Sequence, residues 1–134
     1  MALIVQKYGG TSVGNIERIR NVANRIVKTY DQGHDVVVVL SAMSGVTDSL
    51  IALAHQASKM PDKRELDVLM STGEQTTIAL MAMTLQDMGY KAASLLGFQA
   101  DIITDSMSTK ARIMSIGAER IRTMLAEKKI VIIA

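Results

Sequence analysis

Val36-Val37-Val38-Val39-Leu40 is an unbroken β-branched and aliphatic run. A strand that is apolar at every position is covered on both faces, as in a parallel sheet layered with helices. On its amino-terminal side, Ile16, Ile19, Val22, Ala23, Ile26, Val27 and Tyr30 recur at helical spacing. That spacing predicts a helix from about Asn15 to Gln32, ended by Gly33. Ahead of it, Leu3 to Lys7 reads as a first strand. On the other side, Ser41 to Asp48 is a turn, and Val46, Leu50, Leu53, Ala54 and Ala57 mark the next helix.

Met60-Pro61-Asp62-Lys63 breaks the chain, and a short helix to Met70 follows. A further helix runs from about Glu74 to Met88. Ile78 to Met83 is apolar all round, so this helix should be deeply buried, with Met81, Met83 and Met88 as core filler. Ala92 to Leu96 is a strand, and Ile102 to Thr104 and Arg112 to Ser115 pair as a small hairpin. A helix over Ala118 to Glu127 leads into a last buried strand, Ile130 to Ile133. Alternation of this kind argues for an α/β fold with a mainly parallel sheet and helices on both faces. Ligands of such sheets bind outside the carboxyl ends of the strands.

Composition narrows the function classes. The 134 residues fit one domain, and 49% hydrophobic content with a single proline fits a compact one. Aromatics make up only 3%, so aliphatics and ten methionines fill the interior, and base stacking is a poor way for this chain to work. A net charge of +2 with interleaved signs is too weak for a nucleic-acid footprint. Cysteine is absent, which excludes disulfides and thiol chemistry. The apolar start, Ala2 to Val5, is too short for a signal peptide, and nothing approaches a membrane span. A cytoplasmic protein is the expectation. His34 and His55 have no metal-ligand neighbours at useful spacing, so no metal site is expected. Arg18, Arg20 and Arg25 read as a solvated helix face.

The chemistry lies in Lys7-Tyr8-Gly9-Gly10-Thr11-Ser12. A lysine at a strand end, two glycines and two hydroxyls before a helix make an anion cradle. The glycines allow positive φ and close backbone approach, and their N–H groups can converge as a nest. The following helix adds the partial charge of its N-terminus, and lysine adds a mobile point charge. The spacing is neither G-x-G-x-x-G nor G-x-x-x-x-G-K-[ST], so it is no dinucleotide fingerprint and no P-loop. From this stretch alone, a plain strand-to-helix turn with a solvated lysine explains the residues equally well. A second turn rich in glycine and hydroxyls, after the second strand, lies at the same sheet edge and favours the functional reading.

Val5-Gln6-Lys7-Tyr8-Gly9-Gly10-Thr11-Ser12-Val13 resembles the signature of aspartate kinases (aspartokinases), in the amino-acid kinase family. Ser41-Ala42-Met43-Ser44-Gly45-Val46-Thr47-Asp48 is similar to that family's second loop, and Ser71-Thr72-Gly73-Glu74 to its third segment. The resemblance implies a three-layer α/β/α sandwich of the amino-acid kinase, carbamate kinase-like type. It implies transfer of the γ-phosphoryl group of ATP, with its Mg2+, to the β-carboxylate of L-aspartate, opening lysine, threonine and methionine biosynthesis. By the same resemblance Lys7, Tyr8, Gly9 and Gly10 hold the ATP phosphates, and Lys7, Gly10 and Ser41 stand at the reacting groups. Ser41, Thr47 and Glu74 bind aspartate, with Glu74 on its α-ammonium, while Thr11 and Ser12 line the turn. Aspartate's carboxylate is already ionised at neutral pH, so no general base is needed. Catalysis then rests on positioning and on positive charge around the transferring group.

Each assignment has a plainer rival. Ser41 and Thr47 also suit a turn and a helix cap. Ser71-x-x-Glu74 is a capping box, so Glu74 would only close a helix start. The chain ends at Ala134, in a strand whose next loop would face the same crevice. It therefore reads as residues 1–134 of a longer protein, the amino-terminal portion of the catalytic domain, without the nucleotide-binding half and the regulatory ACT domains. Such a piece would turn over negligibly. One alternative is a stable non-catalytic module that oligomerises through a sheet edge near Ile130 to Ile133. The other keeps the enzyme class with glutamate, N-acetylglutamate or a nucleoside monophosphate as acceptor. A homo-oligomer is expected, with no nucleic-acid or membrane partner.

Overall fold

The computed structural model describes residues 1–134. Strands β1 (Leu3–Tyr8), β2 (Asp35–Leu40), β3 (Ala92–Leu95) and β6 (Ile130–Ile133) form a parallel sheet in the order β1-β2-β6-β3. Helices α1 (Ile16–Asp31), α2 (Val46–Ala57) and α3 (Lys63–Asp87) precede β3, and α4 (Glu119–Ala126) precedes β6. Strands β4 (Ile102–Thr104) and β5 (Ile113–Ile116) pair antiparallel as a separate ribbon. No helix is long and apolar enough to cross a membrane.

The valine run behaves as its composition requires. Its side chains alternate between two cores, because successive strand residues point to opposite faces. Val36, Val38 and Leu40 join Ile19, Ile26, Ile78, Met81 and Leu85 of α1 and α3 on one face. Val37 joins Val131, Ile133, Leu95 and Leu125 of α4 on the other. The result is a three-layer α/β/α arrangement with a central sheet.

Three expectations are corrected. Lys63–Asp87 is one helix of 25 residues, not two. Its N-cap is Asp62, whose carboxylate accepts the Glu65 N–H at 3.1 Å. Ser71 and Glu74 lie in its middle, where Ser71 donates to the Val68 carbonyl, so no capping box forms there. The same helix is buried along one face only: Ile78, Met81, Ala82 and Leu85 are inside, whereas Met83 is 61% exposed and Met88 also faces solvent. Finally, β6 lies between β2 and β3, so Ile130–Ile133 offers no edge for a second copy. The free edges belong to β1 and β3.

Candidate functional site

Three segments meet at the carboxyl edge of the sheet, and small residues set how closely they meet. The Tyr8 carbonyl accepts the Ser41 N–H at 3.3 Å, and the Gly10 carbonyl accepts the Ser44 N–H at 3.2 Å. A Cβ on Gly10 would stand 2.7 Å from the Ala42 carbonyl oxygen, a distance no side chain tolerates. On the far side of Ala42, a Cβ on Gly73 would stand 3.1 Å from the Ala42 Cβ and 3.2 Å from Val46 Cγ1. The loop after β2 is thus held between the loop after β1 and the middle of α3. That contact sets Glu74, the next residue of α3, beside the same edge.

The first loop leaves its donors open. The N–H groups of Gly9, Gly10 and Thr11 find no acceptor within the chain. Gly9 does not use positive φ (its φ is −78°), and a Cβ there would meet nothing within 4 Å. In this loop Gly10 serves close approach, and neither glycine uses left-handed backbone. A 3₁₀ turn over Gly10–Val13 intervenes before α1, whose own N-terminus is closed by Asn15, the side chain of which accepts the Arg18 N–H at 2.8 Å. The helix dipole expected from α1 is therefore supplied elsewhere. Helix α2 starts from Gly45, at φ 82°, with no side-chain cap, and the Thr47 and Asp48 N–H groups have no acceptor. Its open N-terminus faces the edge where the loops meet. A Gly directly before a helix without a capping side chain was the signal for this in the sequence.

Lys7 is exposed, paired in register with Val39, and forms no ion pair. Ser41 and Thr47 are half-buried at the mouth of β2. Glu74 and Ser71 line a concavity of about 400 Å³ between α3 and the ends of β3 and β6, closed by Leu96, Phe98 and Ala134. Tyr8 faces away from Lys7, as alternation along β1 demands; its hydroxyl donates to Gln6 Oε1 at 3.1 Å. Burial raises the Tyr8 pKa, and the nearby Arg25 opposes the rise. No group of three or more His, Cys, Asp or Glu side chains is disposed to hold a metal ion.

Comparison with known proteins agrees with this architecture. The amino acid kinase family model matches residues 2–134. The chain belongs to the amino acid kinase family. Aspartokinase of Geobacillus stearothermophilus is 58% identical over 134 residues, which are all of this chain and 33% of that relative. This family member therefore spans about a third of the relative's length. The crystal structure of aspartate kinase from Synechocystis superposes with a TM-score of 0.80 at 43% identity, over 97% of this chain and 21% of that one. Aspartokinase III of E. coli, solved with lysine and aspartate, gives a TM-score of 0.85 at 18% identity, over 98% of this chain and 40% of that one, a likeness of fold.

Proposed function

We propose that this chain is the phosphate-binding and aspartate-binding portion of an aspartate kinase. The observation that carries the reading is the convergence of the three motif segments through Gly10, Ala42 and Gly73, beside peptide N–H groups with no internal acceptor. The relative named aspartokinase, 58% identical, supports the same choice of acceptor. Bound ATP with its Mg2+ would supply the γ-phosphoryl group, which the β-carboxylate of aspartate accepts as ADP leaves.

The residues present fit an anionic group. Lys7 brings an unpaired ammonium, and Gly9 and Gly10 bring N–H groups without an internal acceptor, as a phosphate requires. Lys7 holds countercharge over the transferring oxygens, and Gly10 holds one of them through its amide. Tyr8 fixes the register of the loop through its carbonyl. The open N-terminus of α2 orients Thr47 toward the acceptor, with Ser41 beside the reacting groups. Glu74 receives the α-ammonium. The proton balance asks nothing of a base, because the carboxylate arrives ionised.

The test is a chimera of the Geobacillus stearothermophilus aspartokinase in which these 134 residues replace the matching segment. Aspartyl-hydroxamate formation is expected, and Lys7→Ala should lower kcat by about 10²–10³-fold, the usual cost of one transition-state donor. Turnover unaffected by Lys7→Ala would overturn the reading. The isolated 134-residue chain is expected to give no hydroxamate.

A further inference from the structure

Arg18 and Arg25 stand seven residues apart on α1, so two turns of helix set both on one face, with Asn21 between them. Together with Tyr8, Thr11 and Ser12 they line a concavity of about 290 Å³. It lies on the α1 side of the first loop, the side to which Tyr8 turns and from which Lys7 turns away. No acidic residue lines it. Arg18 gives one N–H to the Thr11 carbonyl at 2.6 Å. Arg25 enters neither of the two ion pairs in the chain, which are Arg64–Glu65 and Lys129–Glu127.

Arg18, Arg20 and Arg25 are all exposed, as a solvated face requires, but Arg18 and Arg25 also share an open hollow with two hydroxyls and an amide, while Arg20, on another face of the same helix, lines no cavity. Guanidinium forks match the paired oxygens of phosphate and carboxylate. The volume, about 290 Å³, is just under the usual range for ligand pockets, which suits a small anion. We propose that this concavity is a second anion site. It takes a small, doubly charged phosphate or carboxylate on the side of the glycine loop away from Lys7, and its existence does not depend on the kinase reading. Because Arg18 holds the Thr11 carbonyl, an anion bound there stiffens the loop that carries Gly9 and Gly10.

The experiment follows the amide resonances of the 15N-labelled chain during titration with sodium phosphate and, separately, sodium succinate. Sodium chloride at matched ionic strength is the control. Saturable shifts are expected at Ser12, Asn21 and Arg25, and the anion that saturates them at lower concentration names the source. Arg25→Gln should weaken the apparent Kd by about 10-fold or more, the loss of a charged hydrogen-bonding group. Arg25→Lys, which keeps the charge without the fork, should fall between the two and serves if the first variant is poorly folded. Arg20→Gln should leave Kd unchanged, and Lys7→Gln should leave the Ser12 and Asn21 shifts intact. Shifts no larger than those in chloride, or a Kd indifferent to both Arg25 variants, overturn the proposal. Saturable shifts confined to Lys7, Gly9, Gly10 and Ser41 and abolished by Lys7→Gln overturn it too, while supporting the substrate site proposed above.

Discussion

Gly10 is where the loop after β1 touches the loop after β2, and the contact is to backbone. A methyl group at that position would press on the Ala42 carbonyl oxygen at 2.7 Å, and a carbonyl cannot swing aside as a side chain can. Gly10→Ala should therefore destabilise the chain by about 1–3 kcal/mol, read as a lower urea midpoint with unchanged slope. Gly9→Ala meets nothing within 4 Å and should be close to neutral in the same assay. A second residue-scale prediction concerns Tyr90. Its hydroxyl donates to Asp31 Oδ2 at 2.8 Å, and that bond, with the carboxylate's charge, raises the phenol pKa. A raised phenol pKa means that the contribution is complete below the ordinary tyrosine value and is lost as pH climbs through the raised one. Carbon-13 NMR of the ring Cζ should give Tyr90 a midpoint above that of free tyrosine. Asp31→Asn should bring it down.

At the scale of elements, α3 is the instructive case. The sequence predicts a short helix to Met70 and a second from about Glu74, with Ser71-x-x-Glu74 as a capping box, yet Lys63–Asp87 is continuous. The hydroxyls of Ser71, Thr72, Thr76 and Thr77 are turned back onto carbonyls of their own helix. Each is satisfied without ending the helix, because Ser and Thr can bond back to a carbonyl three or four residues earlier. The stretch Ile78 to Met83 also separates into an inner and an outer face once α1 and the sheet lie against one side only. Met81 is wholly buried, and Met83 is 61% exposed. Met81→Ala should cost about 2–5 kcal/mol by leaving a cavity. Met83→Ala should stay within about 0.5 kcal/mol. Equal thermal shifts for the two variants would mean that the helix is turned differently about its axis.

For the whole molecule, stability should be graded from the sheet centre to the ribbon. Strand β6 is buried at every position and paired on both sides. The β4–β5 ribbon has only two strands, and β5 is exposed throughout. Ile102 of β4 packs against the core, but two strands with so little cover are marginal by themselves. Amide hydrogens of Val131 and Ile132 should exchange orders of magnitude more slowly than those of Ile113 to Ile116, as read by NMR in deuterated buffer. Comparable rates would mean that something unaccounted for covers the ribbon. The amino-acid pattern by itself determined the fold class and most of the elements: a short β-branched apolar run bounded by turns reads as an interior strand, and the helical spacing of Ile16 to Tyr30 reads as a helix with one buried face. It also carried the three motif segments as candidates. Strand order, the single length of α3, the open N-terminus of α2 and the pairing of Arg18 with Arg25 around a hollow were decided only by tertiary structure. The reason is that local periodicity fixes which face of an element is apolar. It does not fix which neighbour covers that face, and a site exists only where distant segments approach closely enough for a glycine to matter.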